Sequence, residues 1–338
     1  MRAKIFLATI MAGLVSISVT AQEMGIVTGA ETGTYIQIGY NISELVKSKN
    51  VKLNVYPSPG SVQNIQDVYK RRGVQLGIVQ SDVLGFINIS TNSELRDIAK
   101  KVKLVFPLYN EEIHVFGNSS IRSLADLGGK RIGIGLKGSG TNLTAGLLLL
   151  LADVKPAAQL EVSDAASLDA LKRGELDAFI AVGGTPMALF DRVDLDQGGK
   201  YHLIDITEAP VFNLYKKKEI TPDTYKWMKT NAQTATVLSV LMTYDYPEST
   251  ASYMKQSCQS VGNISRIIHD NIGWLRENGH PKWKEVNLDA PVKNWEQSLC
   301  VQQALRGGAT SKSQLADPSS PVSADKLISA LKGSMPKQ

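Results

Sequence analysis

Cysteine is scarce in this chain of 338 residues: only Cys258 and Cys300 are present, both in the C-terminal third. That excludes a disulfide-dense scaffold and any paired cysteine set of the zinc type. The four histidines, His114, His202, His269 and His280, stand far apart, with no i, i+4 pair and no cysteine beside them. Zinc sites usually show such local pairing. No G-x-S-x-G marks a nucleophile, although a Ser–His–Asp triad can be assembled from residues distant in sequence. No Walker lysine follows a G-x-x-x-x-G. A basic stripe interleaved with aromatics is also missing, which argues against nucleic acid as a partner. The one tight basic run, Lys216-Lys217-Lys218, reads as a solvated helix face. Past the first 21 residues no segment approaches the roughly 20 apolar residues that a membrane-spanning helix needs.

What is present begins with MRAKIFLATIMAGLVSISVTAQ. Arg2 and Lys4 precede an apolar run from Ile5 to Val15, and Val19-Thr20-Ala21 places small residues where a leader is cut. This is the pattern of a secretory signal peptide, expected to be cleaved after Ala21. The apolar run turns polar at Ser16, too soon for a membrane anchor. No cysteine follows the cleavage point, so a lipid anchor is not indicated, and the exported protein is expected to be soluble and periplasmic. The formal net charge is +5, of which Arg2 and Lys4 supply two. Apolar residues make up 43% and charged residues 20%, ordinary for a protein with a real core, and residues 22–338 suffice for about two domains. In an oxidising compartment two cysteines permit one bridge; two buried free thiols are the other arrangement.

Short apolar strands alternate with amphipathic helices from Gly25 onward. Gly25–Thr28, Lys52–Tyr56 and Gln75–Val79 read as strands. Tyr35–Lys47 and Val62–Arg72 read as helices, with Ile38, Ile42 and Leu45 on one face of the first. Two apolar runs flanking Asn110-Glu111-Glu112, within 103–116, read as a crossover out of a first lobe. The alternation then restarts: strands over 130–136, 160–162 and 177–182, helices after Ser139 and over 166–173, and a further edge at 202–206. Ala235–Tyr244 reads as the return crossover. The expected class is therefore α/β, with largely parallel sheets flanked by helices. Its expected divisions are a signal peptide over 1–21, a first lobe over 22–112, a second over 113–234, a helical return to the first over 235–306, and a flexible tail over 307–338. That tail is rich in Gly, Ala, Ser and Pro to residue 323 and ends in a short amphipathic helix, 324–331.

Five polar loops fall at the C-terminal ends of these strands: 29–35, 60–64, 80–82, 138–141 and 183–186. Ligands in open α/β sheets bind there, where glycine admits close approach and helix starts present N–H groups. Any one of them alone is an ordinary cap or turn; five, split between two lobes, point to a shared cleft. Gly133-Ile-Gly135-Leu-Lys-Gly138 matches the dinucleotide pattern G-x-G-x-x-G. Its first two glycines, however, alternate with Ile132, Ile134 and Leu136 and read as strand, not as the turn that follows one.

Taken together, TGAETGTY (28–35), PGSVQN (59–64), GIVQSD (77–82), SLADLGGKRIGIGLKGSGT (123–141) and ELDAFIAVGGTP (175–186) resemble the TAXI family of solute-binding proteins. These are the extracytoplasmic receptors of one class of TRAP transporter. The resemblance covers roughly 25–246 and implies a two-lobed, periplasmic-binding-protein-like fold, with a ligand cleft between lobes joined by crossover strands. It implies a binding protein and not an enzyme, no cofactor and no metal. The ligand would be a small carboxylate such as a glutamate-like amino acid or a dicarboxylate, handed to the membrane permease subunits of a TRAP transporter. Carried over by motif, the contacts are Thr34, Tyr35, Ser61, Asn64, Gln80, Ser81 and Asp82 from one lobe, and Ser139, Thr141, Gly184 and Thr185 from the other. In this chain Ala30-Glu31-Thr32 interrupts the first loop and Ile36 stands where a second tyrosine is usual. A negative Glu31 near the cleft would repel an acidic ligand or pair with a ligand amine. A binding protein serving an ABC importer or a sensor, or an exported hydrolase, are the alternative readings.

Overall fold

Two long strands run through both halves of the molecule and decide how those halves meet. The structure, a computed structural model, describes residues 24–89, 91–191, 195, 197–246 and 251–306. The expected signal peptide and the linker and helix expected after Gly307 lie outside the described residues. Among the described residues a ten-stranded sheet is formed by β1 (Met24–Val27), β2 (Leu53–Tyr56), β3 (Leu76–Gln80), β4 (Val102–Asn118), β5 (Arg131–Gly133), β6 (Ala158–Leu160), β7 (Ala178–Gly183), β8 (Tyr201–Leu203), β9 (Lys216–Ile220) and β10 (Ala232–Tyr244). The main path is β2-β1-β3-β10-β4-β7-β5-β6, with β8 added to β4 and β9 to β10.

β1, β2 and β3 pair in parallel, as do β5, β6 and β7, and the antiparallel β4–β10 pair joins the two groups. At about 3.3 Å per residue, the 17 residues of β4 extend about 56 Å, enough to serve both lobes. The chain therefore folds as a two-lobed α/β protein whose lobes share their connecting strands.

Each lobe buries its sheet between helices. In the first, α1 (Thr34–Lys47), α8 (Ser252–Asp270), α9 (Ile272–Asn278) and α10 (Leu299–Arg306) cover one face around Ile38, Ile42, Ile78 and Ile264. On the other face α2 (Ser61–Lys70), α3 (Val83–Ile89) and α4 (Ser93–Ala99) pack around Ile65, Val79 and Ile98. The second lobe uses α5 (Gly140–Leu151), α6 (Asp164–Lys172) and α7 (Ala209–Phe212). Cys258 of α8 and Cys300 of α10 form a disulfide that clips these helices together across 42 residues of sequence.

The β4–β10 register slips midway, between the pairs Leu238–Asn110 and Val240–Pro107. At the slip Ser239 Oγ donates to the Tyr109 carbonyl at 2.8 Å and accepts from the Tyr109 N–H at 3.4 Å, replacing ladder bonds. Such an irregularity loosens the pairing locally, and here it sits where the strands pass from lobe to lobe.

Three sequence expectations change. Lys216-Lys217-Lys218 lies on the exposed edge strand β9, not on a helix; charge on an edge discourages further pairing. The strand expected over 130–136 ends at Gly133, because Gly135 takes φ +79° and turns the chain out of the sheet. The helical pattern over the last third breaks between the turn Pro281–Glu285 and α10, where non-helical chain carries Trp295 into the core.

Candidate functional site

Parts of the polar loops at the strand ends come together and line a cavity of about 280 Å³ between the lobes. From the first lobe come the loop 29–33, the start of α1 and the start of α2; from the second, the starts of α5 and α6 and the end of β7. Four helix N-termini thus open on one space, each with backbone N–H groups that its own helix leaves unpaired. Gly60 makes the approach possible. Its φ of +131° suits glycine alone, and a Cβ there would stand 3.3 Å from Gly140 N and Ser139 Cα of the facing lobe.

The floor is Glu111, in the middle of the crossover strand β4 and only 2% exposed. Tyr35, on the first turn of α1, donates its hydroxyl to Glu111 Oε2 at 2.7 Å. No described residue bonds Oε1. Burial pushes the Glu111 carboxyl up to about 8; the Tyr35 hydrogen bond works against this, and the nearby Asp82 and Glu112 carboxylates add to it. The Tyr35 hydroxyl is itself held well above its usual range, first by burial and then by Glu111. On the opposite wall Asp164, in the first turn of α6, has no hydrogen-bond or ionic partner among the described residues. Desolvation alone raises its carboxyl to about 7. Glu31 adds a third acid to the lining, and among the described lining residues there is no lysine, arginine or histidine.

The structure brings Thr34, Tyr35, Ser61, Gln80, Ser139 and Thr141 to this cavity. Several of these bind protein groups. Ser61 Oγ accepts from Gln80 N at 3.0 Å, Ser139 Oγ caps α5 through Asn142 N at 3.0 Å, and Thr141 Oγ1 accepts from Val182 N at 3.2 Å. Other bonds run between lobes: Thr34 Oγ1 donates to the Gly184 carbonyl at 3.0 Å, and Thr144 Oγ1 to Gln80 Oε1 at 3.1 Å. The Gly138 carbonyl accepts from Val62 N and Gln63 N at the start of α2. The G-x-G-x-x-G segment is therefore occupied by the facing lobe.

Five expected contacts lie off the cavity. Asn64 is fully buried inside the first lobe, where its Nδ2 donates to the carbonyls of Thr28 (2.5 Å) and Ile78 (2.7 Å) and its Oδ1 accepts from Ser58 Oγ. Ser81 and Asp82 face a second hollow behind the crossover strands, and Asp82 accepts from the Tyr215 hydroxyl at 3.0 Å. Gly184 is packed against Tyr109 and Lys282, and Thr185 donates its N–H to Glu112 Oε2 at 2.9 Å. Motif position alone cannot separate residues that face a cleft from those that build it.

The residues missed by sequence reasoning include Glu111, Ser163, Asp164 and the apolar Leu136, Met187 and Leu189. Glu111 left a signal: two acids interrupting an otherwise apolar crossover must be paired or functional, since an unpaired buried charge is costly. The apolar three, from the second lobe, left none.

A family model, the NMT1-like family, matches residues 26–293. The chain belongs to the NMT1-like family. In this NMT1-like protein the matched span contains every residue that lines the cavity, and it stops short of Cys300. Solved structures to which the chain is similar include "a periplasmic transporter", at 12% identity over 78% of this chain and 89% of that one (TM-score 0.49). Another is the substrate binding protein of an amino acid ABC transporter, at 12% identity over 73% and 97% (TM-score 0.39). A third is the alkanesulfonate-binding protein SsuA from Xanthomonas axonopodis pv. citri bound to MOPS, at 15% identity over 93% and 91% (TM-score 0.40). At such TM-scores the ligand has to be read from the cleft itself.

Proposed function

We propose that this protein is an extracytoplasmic solute-binding protein of the TAXI type. It captures a small carboxylate-containing ligand by hinge closure and delivers it to a TRAP-type membrane permease. The observation that carries the reading is the cavity between the lobes, whose walls come from both and whose floor lies beside the irregular pairing of β4 and β10. A ligand touching both walls binds the closed form better than the open one and so shifts that equilibrium. Its carboxylate is held by N–H groups at the starts of α1 and α5, where the helix dipole favours negative charge. Tyr35 and Leu136 cover its carbon chain. The signal-like residues 1–21 support export to the periplasm, where such a receptor meets its solute.

Binding is favoured over hydrolysis because the cavity serines are acceptors for backbone N–H groups and none of the four histidines lines the space. The testing experiment is calorimetry with small-angle scattering on refolded protein, across amino acids, dicarboxylates, keto acids and sugars. A binder that also lowers the radius of gyration supports the reading. Silence from a folded protein, or binding without compaction, sinks it. Uptake by proteoliposomes carrying a TRAP permease, dependent on the added protein, tests the membrane partner; an ABC importer responding instead would replace it.

A further inference from the structure

The crossover ribbon has two open faces, and only one of them belongs to the solute cavity. Glu111 of β4 lines that cavity, whereas its neighbour Asn110 lines the second hollow. Successive side chains of a strand leave on opposite faces, so the two spaces lie back to back across the same strands. The second hollow measures about 840 Å³, against about 280 Å³ for the cavity, a size that suits a small-molecule site. The first lobe supplies Gly85 of α3 and the loop 287–294, and the second lobe supplies Leu214, Tyr215 and Lys216. Much of the wall is apolar, through Leu108, Val237 and Leu238 of the crossovers and Pro291 and Val292 of the loop. Its two acids are engaged, Asp82 by the Tyr215 hydroxyl and Glu285 by Lys282. Its two lysines are not. Lys216 on β9 and Lys293 in the loop have no ionic partner among the described residues, and they come from opposite lobes.

We propose that this hollow is a second binding site, for a soluble organic anion with an apolar body, and that its occupant favours the closed lobes. Apolar walls take the body by removing it from water. Two lysine ammoniums without protein partners favour an anionic head over a neutral one. The preference for closure follows from the position of the hollow. In this structure the lobes touch on the cavity side, where Thr34 meets Gly184 and Val62 meets Gly138. A rotation about β4 and β10 that parts those contacts moves the walls on the other face of the ribbon towards each other. A molecule filling the hollow therefore resists opening. Linkage makes the effect mutual, so solute in the cleft tightens the rear occupant by the same factor. This coupling rests on the hinge-closure reading; the site itself does not.

Gly85 offers a way to block the hollow. A Cβ built on it meets no atom within 4 Å, and it stands inside α3, where glycine is the weaker helix former. The experiment is calorimetry on refolded protein with octanoate and octanol, which share a chain and differ in the charge of the head. Octanoate is expected to bind about tenfold more tightly. Lys216→Ala combined with Lys293→Ala should remove most of that difference. Gly85→Phe should abolish octanoate binding while the melting temperature is kept. Saturating octanoate should also lower the radius of gyration in small-angle scattering. Should Gly85→Phe fail to fold, the exposed lysine pair decides alone. Octanoate binding that survives these variants, equal affinity for the alcohol, or no octanoate binding overturns the site. Binding at the hollow without compaction overturns the coupling. A cleft solute that compacts the protein while octanoate stays silent leaves the solute-binding reading intact and sinks this proposal alone.

Discussion

Lys282 Nζ lies 2.6 Å from Glu112 Oε1, and both side chains are only 1% exposed. The lysine also reaches Glu285 at 2.9 Å, while Glu112 accepts the Thr185 N–H on its other oxygen. One ion pair thus ties the helical cap of the first lobe to the crossover strand and on to a loop of the second. Lys282→Ala would leave Glu112 buried without its cation, and losing one partner of a buried pair costs about 3–5 kcal/mol. Urea unfolding should show that loss, and Lys282→Ala paired with Glu112→Gln should recover part of it.

The ligand-free protein should lose stability as pH rises above neutrality. Glu111 is raised to about 8 and Asp164 to about 7, so the folded state keeps protons that the unfolded chain releases near pH 4. Stability from such groups is complete below the unfolded value and is lost as pH climbs through the folded one, at up to about 1.4 kcal/mol per pH unit for each group. His114 works the other way. Burial lowers it to about 3, so its contribution is complete above its ordinary value of 6.5 and fades as pH falls. Between pH 6.5 and 8 His114 changes little, and the raised carboxyls, Glu112 among them, set the slope. Urea midpoints should fall across that window, and Glu111→Gln should flatten the fall. A midpoint that rises there would mean the carboxyl is already ionised.

Asn64→Ala is expected to weaken the fold first and ligand binding only as a consequence. Its amide serves the carbonyls of Thr28, just past β1, and of Ile78, within β3. Leaving buried acceptors unsatisfied costs about 1–3 kcal/mol. A melting-temperature drop outside the error of measurement is the expected readout, whereas an unchanged melting temperature with lost affinity would place Asn64 in the binding set.

Gly140→Ala probes closure. A Cβ on Gly140 would collide with Gln80 Oε1 and crowd Ser61 Oγ at 2.7 Å, both in the opposite lobe. Alanine suits the first turn of α5, so each lobe should fold normally while the clash, about 1–3 kcal/mol for an overpacked contact, opposes the closed form. Small-angle scattering should show a larger radius of gyration with ligand, and affinity should drop about tenfold.

The lobes and their helices were legible in the sequence because strand and helix periods repeat over many residues and each must hide an apolar face. The crossovers at 103–116 and 235–244 could be read the same way, since long apolar runs have no other place in an α/β chain. Helix starts at Thr34, Ser61 and Gly140 are also local matters of capping and turn chemistry. Side-chain direction at the cleft is not. Ser61 and Asn64 sit three residues apart on one helix, yet one lines the cavity and the other is buried inside the first lobe, because β1 and β3 close over Asn64. Nor does the sequence bring Asp164 to the same cavity as Glu111, since that depends on how the two lobes are brought face to face. Sequence by itself determined the elements and the two-lobed class through local period and burial. Which polar groups end with partners and which end facing a cavity was decided only by tertiary packing, because desolvation depends on every neighbour at once.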